Sequence, residues 1–224
     1  MRHTEDGFTI IELLIATAVF TVILIITAAA LIGISQTYVK GSVEGNTQQT
    51  ARKILSSISQ DIQFNNNSSI ILNPSSSSNT DEFYFCIGSD VYVYNLNKRL
   101  TSNPQSAQDS TWVLIRYTNP ICPKSPPSMP PSSNDSRYEE LMASGQRLGQ
   151  LSISENSINN NPAYTISIEI GYGANNVLNG TDTPPVNQIN ENTKYNYRCQ
   201  TGLDSSFCAV SSLTTTVAPR INSE

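Results

Sequence analysis

The pattern of apolar and polar positions divides the chain into a long helical part and a strand-rich part. No residue from Leu13 to Val39 carries a formal charge, and the run from Leu13 to Ile34 is the most apolar. As a helix it is long enough to cross a bilayer core, which takes about 20 residues. Thr17, Thr21 and Thr27 interrupt it, but threonine hydroxyls bond back to helix carbonyls and leave no polar group unsatisfied. Gly33 is tolerated there. After Ile34 the sequence turns polar and keeps a helical period: Ala51, Ile54, Leu55, Ile58 and Ile62 recur at intervals of three and four. Gly41 and Gly45 are soft points, each costing about 1 kcal/mol relative to alanine. One helix from Thr9 to Gln63 is expected, apolar in its first half and amphipathic in its second. The block "NNNSS" ends it.

Strand signals follow. "EFYFCI", "GSD" and "VYVYN" predict a hairpin with a three-residue turn, with Phe83, Phe85 and Ile87 on one face. "TWVLIRYT" is a more apolar, central strand. "QLSISE" and "AYTISIEIGYG" come next; in the latter Tyr164, Ile166, Ile168, Ile170 and Tyr172 alternate with small or polar residues, as in a half-buried antiparallel strand. The buried face should meet the helix stripe. "SSLTTTVAP" is a last strand or an edge segment. "YEELMAS", with Glu139 and Glu140, predicts a short solvated helix. Two stretches have no apolar period: the proline-rich "NPICPKSPPSMPPSSNDS", expected to be an irregular surface loop pinned by Cys122, and "GANNVLNGTDTPPVNQINENTK". Loops of this kind carry recognition surfaces, but neither specifies a ligand.

Composition narrows the function. Charged residues make up 14% and the net charge is -5, so no basic surface for nucleic acid is indicated. The abundance of uncharged Ser, Asn and Thr suits an extracellular surface. Cys86, Cys122, Cys199 and Cys208 lie outside any CxxC spacing, which favours a disulfide framework over zinc. Four cysteines allow three pairings. Cys199–Cys208 with Cys86–Cys122 is favoured, because the short "QTGLDSSF" between the first pair suits a tight loop. The one histidine is His3. A chain cut downstream of it has no imidazole for a catalytic triad or a metal site. No phosphate-binding glycine loop is present. Asp204 alone is far short of a calcium ligand set. Tyr92 and Tyr94 are expected in the packed face of a strand. No catalytic residue, cofactor or metal is expected.

The remaining question is Glu12, a carboxylate inside "GFTIIELLIATAVFTVILI" that costs a few kcal/mol in lipid. An ordinary secretory signal would be cut after Ala28-Ala29-Ala30. A plain signal anchor explains the length of the run but leaves Glu12 without a purpose. A cut between Gly7 and Phe8 places a new amino group four residues before Glu12, on the same helical face. That amine, in the same or an adjacent subunit, neutralises the carboxylate, and a buried charge then sets register between packed helices.

"GFTIIELLIA" resembles the class III signal of type IV pilins and of the pseudopilins of type II secretion, with Gly7, Phe8, Thr9 and Glu12 matching position by position. The resemblance covers roughly Gly7 to Ile34. It implies an α+β, type IV pilin-like fold, a long N-terminal α-helix packed on an antiparallel β-sheet head domain. The expected division is a leader at 1–7, a membrane-spanning or filament-core helix at 8–35, its amphipathic continuation at 36–64 and a β-rich head at 65–224. It also implies cleavage by a prepilin peptidase after Gly7, N-methylation of Phe8, and assembly with other pilin subunits through Phe8 and Glu12. The subunit would reside in the cytoplasmic membrane first, head outside, and in an extracellular filament afterwards. Three positions depart from the pattern. Glu5 and Asp6 stand where basic residues are usual, and Ala29 stands where many major subunits carry a helix-bending proline. A minor or adhesive pilin is therefore the first expectation. A type II pseudopilin, or a membrane-anchored extracellular binding protein, is the alternative.

Overall fold

A computed structural model of the chain describes residues 9–65, 70–72, 82–119, 121–123, 137–158, 161–174, 177–180, 195–200 and 207–220. The fold is α+β. One helix, Ile10–Phe64, runs without interruption for 55 residues, about 80 Å at 1.5 Å per residue. Thr9 caps its amino end and Asn65 its carboxyl end. Gly41 and Gly45 do not break it, and a methyl group at either would meet no neighbour. The helix is therefore continuous through positions that merely weaken its local propensity.

The strands are β1 (Ile70–Ile71), β2 (Glu82–Ile87), β3 (Asp90–Asn95), β4 (Arg99–Leu100), β5 (Asp109–Ser110), β6 (Leu114–Thr118), β7 (Tyr138–Glu140), β8 (Gln146–Ile158), β9 (Asn161–Tyr172), β10 (Leu178–Gly180), β11 (Tyr197–Cys199) and β12 (Ala209–Val217). Among the described residues they form two five-stranded sheets, β1-β2-β3-β6-β7 and β12-β9-β8-β4-β5, and the ribbon β10-β11. All pairings are antiparallel except β4 with β5. The head is thus two sheets around one helix stripe rather than a single sheet. Ala51, Ile54, Leu55, Ile58 and Ile62 are buried in one core with Phe83, Phe85 and Ile87 of the first sheet and Ile166, Ile168 and Ile170 of the second. The strand expected at "SSLTTTVAP" is β12, at the edge of the second sheet.

The turn of the first hairpin is two residues long, Gly88-Ser89, because Ile87 pairs with Asp90. Gly88 has φ +61°, as the first position of a type II′ turn requires. The expected three-residue turn is corrected to that extent. A side chain at Gly88 would overlap the amide of Asn65, so the hairpin tip sits against the helix end. Behind it, Phe83 stacks on Tyr94 and Phe85 on Tyr92, at ring separations of 5.3 and 4.8 Å. These are directly opposed pairs in the ladder.

The first sheet buries both faces. Tyr84, Cys86, Val91, Val93, Trp112, Ile115 and Tyr117 form a second apolar cluster on the face away from the helix, with Cys122 and Tyr138 against it. The Cys86–Cys122 disulfide, Cα separation 5.9 Å, draws the segment after β6 onto this face, and the Tyr84 hydroxyl donates to the Pro123 carbonyl at 3.0 Å. The second disulfide joins Cys199 to Cys208. Pro120 and residues 124–136 of the proline-rich stretch, with Asp204, lie outside the described residues.

Polar ties fix the helix to the sheets. At its carboxyl end the Arg116 guanidinium donates to Asp61 at 3.1 Å, Asp90 at 2.9 Å and Ser57 at 3.2 Å. The Tyr92 hydroxyl donates to the other Asp61 oxygen. Burial pushes the Asp61 carboxyl up, and the Tyr92 and Arg116 contacts pull it back. Midway along, buried Gln146 donates to the Thr50 hydroxyl at 3.1 Å. The segment after β12 returns to the helix end, where the Arg220 N–H donates to the Gln63 carbonyl and its guanidinium lies over the Phe64 ring.

Two expectations fail here. "YEELMAS" is not a helix: Tyr138–Glu140 is the last strand of the first sheet. Its backbone closes the edge of β6, and the Glu140 carboxylate accepts from the buried N–H groups of Val113, Leu114 and Met142 at 2.8, 3.1 and 2.9 Å. Burial raises the Glu140 carboxyl against the opposing pull of those N–H groups. The stretch from Gly173 is not without structure either, since Val177 and Leu178 are buried and β10 pairs with β11.

The adjacent glutamates should behave differently. Glu140→Ala leaves three buried N–H groups unpaired and should cost at least about 2 kcal/mol in urea denaturation of the full chain in detergent. Glu139→Ala removes only an exposed contact to Lys53 at 3.4 Å and should cost less than about 1 kcal/mol. Equal effects would contradict this assignment of the Glu140 carboxylate.

Candidate functional site: the amino-terminal half of the helix

Among the described residues, the first half of the helix is exposed along its whole length. Every large apolar side chain from Ile10 to Ile34 is at least 49% exposed, up to 81% at Ile10. Burial begins only at Thr47 and Thr50. The exposure is all round, which in water is unfavourable by about 25 cal/mol per Å² of apolar surface. Such a segment is stable only where lipid or other apolar helices surround it. It is also the one helix among the described residues long and apolar enough to cross a membrane.

Its polar groups are already paired. Thr17 donates to the Leu14 carbonyl, Thr21 to Ala18, Thr27 to Ile23 and Leu24, and Thr37 to Gly33, all at 2.8–3.0 Å. The cost of their hydroxyls outside water is met within the helix itself.

Glu12 closes the amino end. The Thr9 N–H and the Thr9 hydroxyl both donate to one Glu12 carboxylate oxygen, at 2.9 and 2.7 Å, while the Glu12 N–H donates back to the Thr9 hydroxyl at 3.4 Å. This reciprocal pair is a capping box. It satisfies two amide donors of the first turn and places a carboxylate where the helix dipole favours it. Below Glu12, on the same side, Ile15, Ala16, Val19 and Ile23 form an apolar strip with a shallow hollow at Ala16. Among the described residues, the site therefore consists of one carboxylate, capped by Thr9 and heading an apolar surface.

Of the residues expected from the sequence, Glu12 is where the helical spacing puts it, in the first turn. Gly7 and Phe8 lie outside the described residues, and so does the amine expected to meet Glu12. The partner that the structure shows for Glu12 is Thr9, which sequence reasoning matched to a motif without giving it a role. The signal was present, since "TIIE" has the T-x-x-E spacing of a capping box before an apolar run. The four cysteines lie in the head as two disulfides, far along the chain from this site. No group of three or more metal-ligating side chains occurs among the described residues.

In comparison with known families, residues 2–28 match the prokaryotic N-terminal methylation motif. It spans Gly7, Phe8, Thr9 and Glu12 together with most of the exposed apolar run. No curated protein and no solved structure matches the chain.

The two halves of the helix should respond oppositely to truncation. Ile58→Ala opens a cavity in the core and should cost about 2–5 kcal/mol of head stability. Ile23→Ala removes a side chain with no partner in the head and should leave the urea midpoint unchanged. A comparable loss for Ile23→Ala would mean that the first half folds back onto the head.

Proposed function

We propose, from an amino terminus that carries the class III signal of type IV pilins and pseudopilins, that this chain is a structural subunit of a type IV pilus-like filament. It is cleaved after Gly7 by a prepilin peptidase, methylated at the new amino group of Phe8, and held in the cytoplasmic membrane by the apolar helix until it assembles. The observation that carries this reading is the division of one continuous helix: an apolar half exposed on all sides, and a half whose stripe is buried in the head. A signal anchor needs only the first feature. A rigid connection between the two transmits the position of each head to a helical core, as a filament requires.

Assembly exchanges lipid contacts for helix–helix contacts around the apolar half. Lipid and packed helices are similarly apolar, so this exchange sets little by itself. Glu12 supplies the selectivity. In the unassembled subunit its charge is held by Thr9. In a bundle it accepts only a neighbour that brings a cation, and the Phe8 amine of an adjacent subunit is that cation. The methylated amine keeps its positive charge. The large head, with two five-stranded sheets and two disulfides, fits a minor or adhesive subunit better than a repeating one.

Glu12→Ala should still be recovered in the membrane fraction, because the substitution makes the helix more apolar. Its recovery in sheared filaments should fall at least tenfold relative to the unchanged chain. Incorporation at the normal level would sink the role given to Glu12.

A further inference from the structure

At the end of the second sheet, beside the Cys199–Cys208 disulfide, a surface cavity of about 350 Å³ is lined by Arg99, Gly145, Tyr172, Gly173, Val177 and Phe207, with Ala174 at its edge. This is within the size range of small-ligand sites. Arg99 is fixed in place: its Nε donates to Asp109 at 2.8 Å, and the Asp109 side chain is 2% exposed. The second oxygen of Asp109 accepts the N–H groups of Gln105 and Ser106, each at 3.1 Å. Burial works against this carboxylate, but those contacts and Arg99 outweigh it and hold the carboxyl below its ordinary range. The Arg99 head is thus held at Nε by a permanent anion, while its two terminal nitrogens have no acceptor among the described residues. Such a planar fork matches a carboxylate in a two-bond contact.

Two aromatic rings flank it. Tyr172 ends β9, and Gly145, at φ +83°, leaves the room that its ring occupies, since a side chain there would collide with the ring. Phe207 is 52% exposed and adjoins Cys208, which is bonded to Cys199. An exposed phenyl ring, a phenol and a prepared guanidinium around one hollow suit a ligand with an apolar ring face and a carboxylate. Flat C–H faces of pyranose sugars stack on aromatic rings, and an acidic sugar supplies the carboxylate.

We propose that this cavity binds a uronic acid residue, its carboxylate on the Arg99 fork and its ring between Tyr172 and Phe207. Nothing in the amino-terminal motif bears on this site. The binding experiment uses the unassembled chain, so its outcome is independent of the filament reading. The full chain in a zwitterionic detergent is titrated with glucuronate, glucose and acetate, and binding is read by saturation-transfer NMR. Glucuronate should bind with a dissociation constant on the order of 1 mM, and glucose and acetate each at least tenfold more weakly. Phe207→Ala, a change at an exposed side chain that does not threaten the fold, should weaken glucuronate at least fivefold. Arg99→Gln should bring glucuronate down to the level of glucose. Glucose binding as well as glucuronate would overturn the role of Arg99. Acetate matching glucuronate, or Phe207→Ala leaving glucuronate unaffected, would reduce the cavity to an anion contact and overturn the sugar assignment. Absence of glucuronate binding would overturn the proposal as a whole.

Discussion

A single helix in this chain has to be buried twice, by different surroundings, and the rest of the structure follows from that constraint. Its second half presents a stripe that the head covers completely, with Ile54, Ile58 and Ile62 at zero exposure. Its first half presents apolar side chains on every side and has no cover among the described residues. Burying an apolar residue contributes on the order of 2 kcal/mol, so a run of this length cannot stay in water. The chain must hand that half to a membrane or to other helices. The capping box makes the transfer more feasible, because two amide donors at the helix start and the Glu12 charge reach the apolar phase already engaged.

The head is built to hold the second half rigidly. Apolar packing supplies most of the stabilisation and is indifferent to rotation about the helix axis. Directional contacts are not. The Arg116 cluster at Asp61 and Ser57 and the Gln146 contact at Thr50 join the helix to different sheets at different heights. Between them they exclude a slide by one turn. The edge of β6 is closed by β7, with Glu140 taking up three N–H groups that would otherwise be orphaned. On the outer face of the first sheet, the Cys86–Cys122 bond and the Tyr84 contact to Pro123 hold the chain against the second apolar cluster.

Much of this was legible from periodicity alone. The stripe from Ala51 to Ile62 and the alternation from Tyr164 to Tyr172 each repeat often enough to identify both the element and its buried face. Strands of two or three residues, such as β1, β4 and β5, contain less than one useful period and left no trace. "YEELMAS" misled because its residues are good helix formers, and the need to close a sheet edge overrode that preference. The partition into two sheets depends on pairings between residues far apart in sequence, and so does the Arg116 cluster, whose members Asp61 and Arg116 are 55 positions apart. At the amino end the spacing of Gly7, Phe8 and Glu12 could be read directly. The pairing of Glu12 with Thr9 also follows a readable spacing, the T-x-x-E of a capping box.

The proposed assembly depends most on where the mature chain begins, since it requires a free amine four residues before Glu12. Intact mass and amino-terminal sequencing of the protein taken from its native membrane measure this directly. Cleavage and methylation as proposed give a chain that starts at Phe8 and carries one methyl group on its amine. A chain that starts at Leu31 would contradict the proposal, because ordinary signal cleavage would have removed Glu12 together with the apolar helix. A chain that still starts at Met1 in a cell that processes other such signals would contradict it equally, leaving the segment as a plain anchor.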